Sequence, residues 1–285
     1  MGEDGRVTAA PKHPRAPRLI ATDLDGTLLR DDKTVSDRTV AALAAAEAAG
    51  IEVFFVTGRP ARWMDVVSAH VHGHGLAICA NGAAVVDLHA GRKIIEVRPL
   101  DRPVALDVVR TLRAAVPGTS FAVELTTGIN YEPAYPPFFL DPGATVAVAE
   151  KLLHEEHSTA PVLKLLAHHA ELAPDAFLAL AREAAGQHAS ITRSSPTALL
   201  EISGPGVSKA STLALCCAER GISADEVVAF GDMPNDIEML TWAGTSYAMG
   251  NAHPDVIAAA SGRTVANTED GVAVVIERMV AEREG

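Results

Sequence analysis

The chain has 285 residues, of which 48% are hydrophobic and 21% charged, and this composition is typical of a globular protein with a sizeable core. No run of 18 apolar residues occurs, which argues against a membrane-spanning protein. The formal net charge of -12 would repel a nucleic acid backbone, and no basic patch opposes it, so we expect no nucleic acid partner.

The amino-terminal residues and the cysteines indicate a location inside the cell. Residues 1–17 are polar, contain Pro11 and Pro14, and lack the apolar segment of a secretion signal, so we interpret them as a disordered leader. Cys216 and Cys217 are adjacent and no CxxC pair occurs, which does not fit a disulfide framework. We therefore predict a reducing compartment and a cytoplasmic location.

Apolar runs and helical patterns alternate from residue 18 onward, which is typical of a parallel sheet with helical crossovers. The predicted elements are a strand at 19–22, a helix at 37–49 capped by Ser36 and ended by Gly50, a strand at 51–56, a helix opened by Pro60 and a strand at 76–79.

The same alternation returns late in the chain. It predicts a helix capped by Ser208 that ends at Gly221, a strand at 226–230, a helix from Pro234 and a strand at 245–249. We expect both stretches, residues 18–95 and 203–285, to form one α/β core with a Rossmann-like, doubly wound parallel sheet.

The intervening residues 96–202 have a different pattern of predicted strands and helices, which indicates a separate α+β domain inserted into the core. The expected elements are strands at 121–124, 162–167 and 198–202 and helices at 103–115 and 174–185, with a proline-rich loop at 133–142.

Two carboxylates follow the first predicted strand, in the segment Asp23-Leu24-Asp25-Gly26-Thr27-Leu28-Leu29. Residues i and i+2 of an extended segment point the same way, so both carboxylates should emerge at the carboxyl end of the strand. Open α/β sheets bind ligands at that edge. Paired carboxylates repel each other, and a divalent cation that prefers oxygen ligands, such as Mg²⁺, relieves that repulsion.

Three further segments fall at strand ends or helix starts. Thr57-Gly58-Arg59 offers a hydroxyl and a backbone N–H after the second strand, and Lys209 begins a helix. The segment Gly231-Asp232-Met233-Pro234-Asn235-Asp236 follows a late strand. Each is a common turn or surface feature when taken alone, but together they predict an anion and metal site at one sheet edge.

These four segments, DLDGTLL at Asp23, VTGR at Thr57, GVSKAS at Lys209 and GDMPND at Asp232, resemble the motifs of the haloacid dehalogenase superfamily. The resemblance is to its Cof-type phosphatases, which are similar to sucrose-phosphate phosphatases and phosphomannomutases. It covers residue 18 to the carboxyl terminus. The sequence NGA at Asn81 matches this branch as well, and the inserted domain corresponds to the branch's cap.

The resemblance implies a role for each motif residue in a Mg²⁺-dependent phosphatase. Asp23 would be the nucleophile that forms an aspartyl-phosphate, and Asp25 the acid and base. The resemblance further implies Mg²⁺ ligands at Asp23, the Asp25 carbonyl and Asp232, phosphate contacts at Leu24, Thr57, Gly58, Lys209 and Asn235, and a supporting role for Asp236, which would position Lys209 or support the metal site.

The expected substrate is a small phosphorylated metabolite, such as a sugar phosphate. Two alternatives stay open at this stage. A phosphomutase uses the same four motifs, and a binding module on the same fold would use none of them for chemistry. The histidines at 70, 72 and 74 are interpreted as loop residues and not as a metal site.

Overall fold

A computed structural model describes residues 15–68, 75–136 and 141–284. Residues 1–14 of the predicted leader and the histidines at 70, 72 and 74 lie outside the described residues. The chain divides into two compact units. We call Met1–Glu96 with Lys209–Gly285 the core unit and Val97–Ser208 the inserted unit.

The strands are, in chain order, β1 Leu19–Thr22, β2 Glu52–Val56, β3 Leu76–Cys79, β4 Ala84–Asp87, β5 Lys93–Val97, β6 Ser120–Leu125, β7 Gly128–Tyr131, β8 Val162–His168, β9 Ser190–Thr192, β10 Leu199–Ser203, β11 Val227–Gly231, β12 Thr245–Ala248 and β13 Gly262–Arg263. The α-helices are α1 Asp37–Ala48, α2 Asp65–Ser68, α3 Arg102–Ala115, α4 Ala149–Leu152, α5 Pro174–Ala185, α6 Lys209–Glu219, α7 Ile237–Trp242, α8 Pro254–Ala259 and α9 Gly271–Glu284.

The core unit is built on an 8-stranded sheet in the order β13-β12-β11-β1-β2-β3-β4-β5. Pairing is parallel from β13 to β3, and β4 runs antiparallel to β3. The central strands are mostly apolar, as expected of parallel strands that are buried on both faces. This confirms the doubly wound α/β fold.

Successive strand residues point to opposite faces of this sheet, and both sets are mostly apolar, so helices cover the sheet. Leu19, Ala21 and Phe54 form one buried cluster with residues of α6, α7 and α8. Ile20 and Phe55, which alternate with them, are also buried. On the described chain α1 contacts β2 and packs against α9.

The inserted unit contains a 5-stranded sheet in the order β7-β6-β8-β10-β9, with antiparallel pairing throughout. One face packs on α3 and α5 through a cluster that includes Phe121, Leu165 and Phe177. The unit extends to Ser208, beyond the predicted boundary at 202. The turn after β10 stays with it because Gly204 packs on the Pro99 carbonyl and Arg98 donates to the Gly206 carbonyl at 3.2 Å.

Several elements differ from the sequence-based expectation. The segment after Pro60 is a 3₁₀ turn over Ala61–Trp63, and helix α2 begins only at Asp65. Pro234 opens another 3₁₀ turn, and α7 begins only at Ile237. The strands β4, β5, β7, β9 and β13 and the helices α4, α8 and α9 were not predicted. No helix in the described part of the chain has both the length and the apolar character needed to cross a membrane.

Candidate active site

Three of the predicted segments begin directly after neighbouring parallel strands. Asp23 follows β1, Thr57 follows β2 and Asp232 follows β11, and β1 lies between the other two strands. Their side chains therefore meet at the carboxyl edge of the sheet, where open α/β sheets bind ligands. All three residues are buried.

Lys209, the first residue of α6, links two of the carboxylates. Its Nζ donates to Asp23 Oδ1 at 2.6 Å and to Asp236 Oδ1 at 2.7 Å, and its side chain is fully buried. Burial alone would lower the pKa of this ammonium, but the two carboxylates raise it above its ordinary value. Lys209 is therefore a fixed positive charge inside the site.

Asp236 is fully engaged by protein donors. Besides the bond from Lys209, its Oδ2 accepts the backbone N–H groups of Asp232 at 3.0 Å and Met233 at 3.1 Å. A Cβ on Gly231 would lie 2.5 Å from the Asp236 Cβ, so this close approach requires glycine. Of the two roles that the sequence left open for Asp236, the geometry favours the positioning of Lys209.

Asp232 lies against the turn that follows Asp25. Thr27 Oγ1 donates to Asp232 Oδ1 at 3.0 Å. Gly26 has a φ of +77°, and a Cβ at this position would lie 2.2 Å from Asp232 Oδ2. Glycine is needed here both for the left-handed backbone and for the contact with the carboxylate.

The carboxylates of Asp23, Asp232 and Asp236 are buried together, with one oxygen of each within 4.8 Å of the others. Burial raises the pKa of Asp23 to about 7, against the effect of the Lys209 ammonium. Burial and the charges of Asp23 and Asp236 raise the pKa of Asp232 to about 8. This excess of buried negative charge fits a divalent cation with oxygen ligands, such as Mg²⁺. Asp23 and Asp232 are the better candidate ligands because the oxygens of Asp236 already accept bonds.

Asp25 carries a separate ion cluster. Arg59 binds it in a bidentate manner, with Nε 2.6 Å from Oδ2 and Nη2 2.7 Å from Oδ1, and Lys33 Nζ lies 2.9 Å from Oδ1. Partial burial raises the pKa of Asp25, but the hydrogen bonds from Arg59 and Lys33 outweigh it and hold the pKa below its usual range.

Thr57 and Asn235 complete the site. Thr57 Oγ1 accepts the backbone N–H of Arg59 at 3.1 Å, so its own hydroxyl proton is left to donate to a ligand. Asn235 is buried, and its Nδ2 donates to Asn81 Oδ1 at 3.0 Å. Leu24 is fully buried, so the phosphate contact expected of it falls to its backbone. Gly58 directly follows Thr57 in the loop that carries Arg59.

All of the predicted site residues lie in the core unit. The sequence assigned no role to Arg59, Lys33 or Asn81, although Arg59 and Asn81 stand inside segments that carry the family resemblance. For Arg59 and Asn81, the only sequence signal was their position inside these segments. It could not name their partners, because Asn81 and Asn235 are 154 residues apart in the chain.

Curated relatives cover nearly the whole chain. The pyridoxal phosphate phosphatase YbhA of Escherichia coli is 31% identical over 284 residues, which is 91% of this chain and 97% of the relative. The 5-amino-6-(5-phospho-D-ribitylamino)uracil phosphatase YcsE of Bacillus subtilis is 30% identical over 263 residues, which is 92% of this chain and 96% of the relative.

Solved structures agree on the fold. A phosphatase of the haloalkanoate enzyme superfamily, BT1666 from Bacteroides thetaiotaomicron, superposes with a TM-score of 0.76 at 24% identity, covering 95% of this chain and 98% of that one. A haloacid dehalogenase-like hydrolase from B. subtilis gives a TM-score of 0.77 at 25% identity, covering 91% and 99%.

Residues 20–276 match the haloacid dehalogenase-like hydrolase family. The chain therefore belongs to this family, and it is a hydrolase.

Proposed function

We propose that this hydrolase is a Mg²⁺-dependent phosphatase that releases phosphate from small phosphorylated metabolites through an aspartyl-phosphate on Asp23. The observation that carries the proposal is the buried cluster of Asp23, Lys209, Asp232 and Asp236 at the carboxyl edge of the sheet. It combines a nucleophile, a fixed cation and a metal-binding set in one place.

Asp23 is the nucleophile of the first step. One of its oxygens accepts the bond from Lys209, which leaves the other to attack phosphorus. The Asp23 oxygen forms a bond to phosphorus while the ester bond to the alcohol oxygen breaks. The Lys209 ammonium and a bound cation both favour the ionised, attacking form of a carboxylate whose burial would otherwise favour the proton.

Asp25 transfers protons in both steps. In the first it gives a proton to the departing alcohol oxygen, and in the second it takes one from the water that attacks the phosphoryl group, which releases orthophosphate and restores Asp23. The ion pairs with Arg59 and Lys33 favour the ionised form, which suits the second step. Proton donation in the first step requires Asp25 to gain a proton once substrate is bound.

The remaining residues hold the phosphoryl group. Thr57, the backbone of Leu24 and Gly58, Lys209 and Asn235 would offer donors to its oxygens as negative charge develops. Mg²⁺, held by Asp23, Asp232 and the carbonyl of Asp25, would supply positive charge to the phosphoryl oxygens.

We infer the substrate class from the relatives YbhA and YcsE, which are phosphatases named for small phosphorylated metabolites. We place substrate selection in the inserted unit, as the cap domain of this family, because that unit has its own sheet and apolar core. A cytoplasmic location belongs to the same proposal.

The test is phosphate release from a panel of phosphorylated metabolites and from p-nitrophenyl phosphate, with and without Mg²⁺. Asp23→Asn should lower kcat by about four to six decades, because an amide is a poor nucleophile and a weaker metal ligand. Asp37→Asn, on the exposed first turn of α1, is the matched control. Retention of a tenth of the wild-type rate by pure, folded Asp23→Asn would contradict the proposal.

A further inference from the structure

Asn81 lies in the tight turn Ala80–Gly82 that follows β3, and its backbone conformation is unusual. Ala80 and Asn81 have φ values of +51° and +55°, in the left-handed backbone region that residues other than glycine rarely adopt. Both residues are buried. A strained conformation of this kind persists only where its surroundings hold it, and it often marks a functional site.

The turn is held by groups from two active-site segments. The N–H of Ala80 donates to the Arg59 carbonyl at 2.9 Å, and the N–H of Asn81 donates to the Thr57 carbonyl at 3.0 Å. From α6, the helix that begins with Lys209, Thr212 Oγ1 donates to the Gly82 carbonyl at 2.7 Å. The position of the Asn81 side chain is therefore fixed relative to Thr57 and to α6.

The Asn81 side chain determines how the Asn235 amide is turned. Because Asn81 Oδ1 accepts the bond at 3.0 Å, Asn235 must direct Nδ2 toward it. Asn235 Oδ1 is buried, and within the described part of the chain it accepts no hydrogen bond. The terminal torsion of an asparagine is broad and roughly two-fold. Without the acceptor on Asn81, the amide could turn over and exchange its donor and acceptor ends.

We propose that Asn81 is a positioning residue that locks the Asn235 amide in the orientation needed for phosphate. The second proton on Asn235 Nδ2 is then available to a phosphoryl oxygen, whereas a turned amide would present Oδ1, an acceptor facing another acceptor. The inference rests on the proposed function, which assigns Asn235 to the phosphoryl group.

The test is a double-mutant cycle on p-nitrophenyl phosphate hydrolysis with Mg²⁺, using Asn81→Gly, Asn235→Ala and the double variant. Glycine accepts the left-handed φ of residue 81, so only the side chain is lost. Asn81→Gly should lower kcat/KM by about 10-fold to 100-fold and weaken inhibition by orthophosphate, as expected when a donor to the transition state is misplaced. In the Asn235→Ala background the same change should have no further effect.

Arg92→Gly is the matched control. Arg92 also has a positive φ, +64°, but it lies in the turn between β4 and β5, and its ion-pair partner Asp65 is exposed. This variant should keep wild-type kcat/KM. Losses from Asn81→Gly and Asn235→Ala that multiply in the double variant would overturn the proposal, because Asn81 would then act independently of Asn235.

Two other outcomes would overturn it as well. Asn81→Gly could match Arg92→Gly in activity, or it could fail to fold where Arg92→Gly folds, which would assign Asn81 to the fold alone. A wild-type chain that releases no phosphate from any ester contradicts the proposed function. An active wild type with multiplicative losses contradicts only the role of Asn81.

Discussion

Gly26 combines two requirements at the scale of a single residue. Its φ of +77° favours glycine, and a Cβ would lie 2.2 Å from Asp232 Oδ2. The first requirement concerns the backbone alone, whereas the second concerns the geometry of the carboxylates that we propose to hold the metal. Gly50 has the same φ of +77° but nothing within 4 Å of the Cβ position. Comparing substitutions at Gly26 and Gly50 therefore separates the effect of backbone strain from the effect of the contact with Asp232.

We expect Gly26→Ala to lower kcat/KM by about 100-fold or more, because a displaced Asp232 misplaces the bound cation and substrate. Gly50→Ala should lower the unfolding temperature through backbone strain but leave kcat/KM unchanged. Steady-state kinetics and thermal unfolding of both variants provide the measurement. Equal kinetic effects of the two substitutions would show that the contact with Asp232 has no importance for catalysis.

At the scale of elements, the sheet of the inserted unit contains a buried ion pair between two neighbouring strands. Lys164 on β8 pairs with Glu201 on β10, and the two side chains are 4% and 6% exposed. Glu124 on β6 stands directly opposite Lys164 in the strand register. A second buried carboxylate therefore stands on the strand next to the Lys164–Glu201 pair.

Lys164→Met should destabilise the inserted unit by about 3 to 5 kcal/mol, because it removes the cation that is paired with the buried Glu201 carboxylate. Glu201→Gln should cost about 1 to 2 kcal/mol, since the glutamine side-chain oxygen can still accept a hydrogen bond from Lys164. Urea unfolding measures both. Arg38→Met, which breaks the exposed pair with Glu277, is the control and should change little. A larger loss from Glu201→Gln than from Lys164→Met would contradict this account.

For the whole molecule, the buried carboxylates connect stability to pH and to Mg²⁺. The pKa values of Asp23 and Asp232 are raised to about 7 and about 8. A group with a raised pKa binds its proton more tightly in the folded state. Its contribution to the free energy of unfolding is therefore complete below the ordinary aspartate pKa of 3.8 and is lost as the pH rises from there through those raised values.

Mg²⁺ competes with these protons, so it should stabilise the chain more at pH 8 than at pH 5.5. At about 100 times its Kd a ligand adds roughly 2.7 kcal/mol to the free energy of unfolding. Thermal unfolding with Mg²⁺ and with a chelator, at both pH values, gives the measurement. Asp232→Asn should reduce the Mg²⁺-dependent shift at pH 8. An equal shift at both pH values would contradict the assignment of the cation to these carboxylates.

Much of the fold is determined locally in the sequence. The central strands β1, β2, β3 and β11 are mostly apolar, and their ends are marked by turn and capping residues that act within a few positions. Edge strands carry weaker signals. Lys93–Val97 contains only exposed and half-buried residues, and its pairing depends on the neighbouring strand. The sequence therefore predicted the centre of the sheet and missed its edges.

The candidate site also has features that the sequence determines and features that depend on the tertiary structure. The sequence by itself determined which residue types stand at the strand ends, because strand periodicity and helix starts are local properties. Only the tertiary structure decided which atoms meet. Lys209 reaches Asp23 across 186 residues of chain, and Asn81 reaches Asn235 across 154. The raised pKa values of Asp23 and Asp232 were also decided there, since burial and mutual repulsion exist only after the strand ends have been brought together.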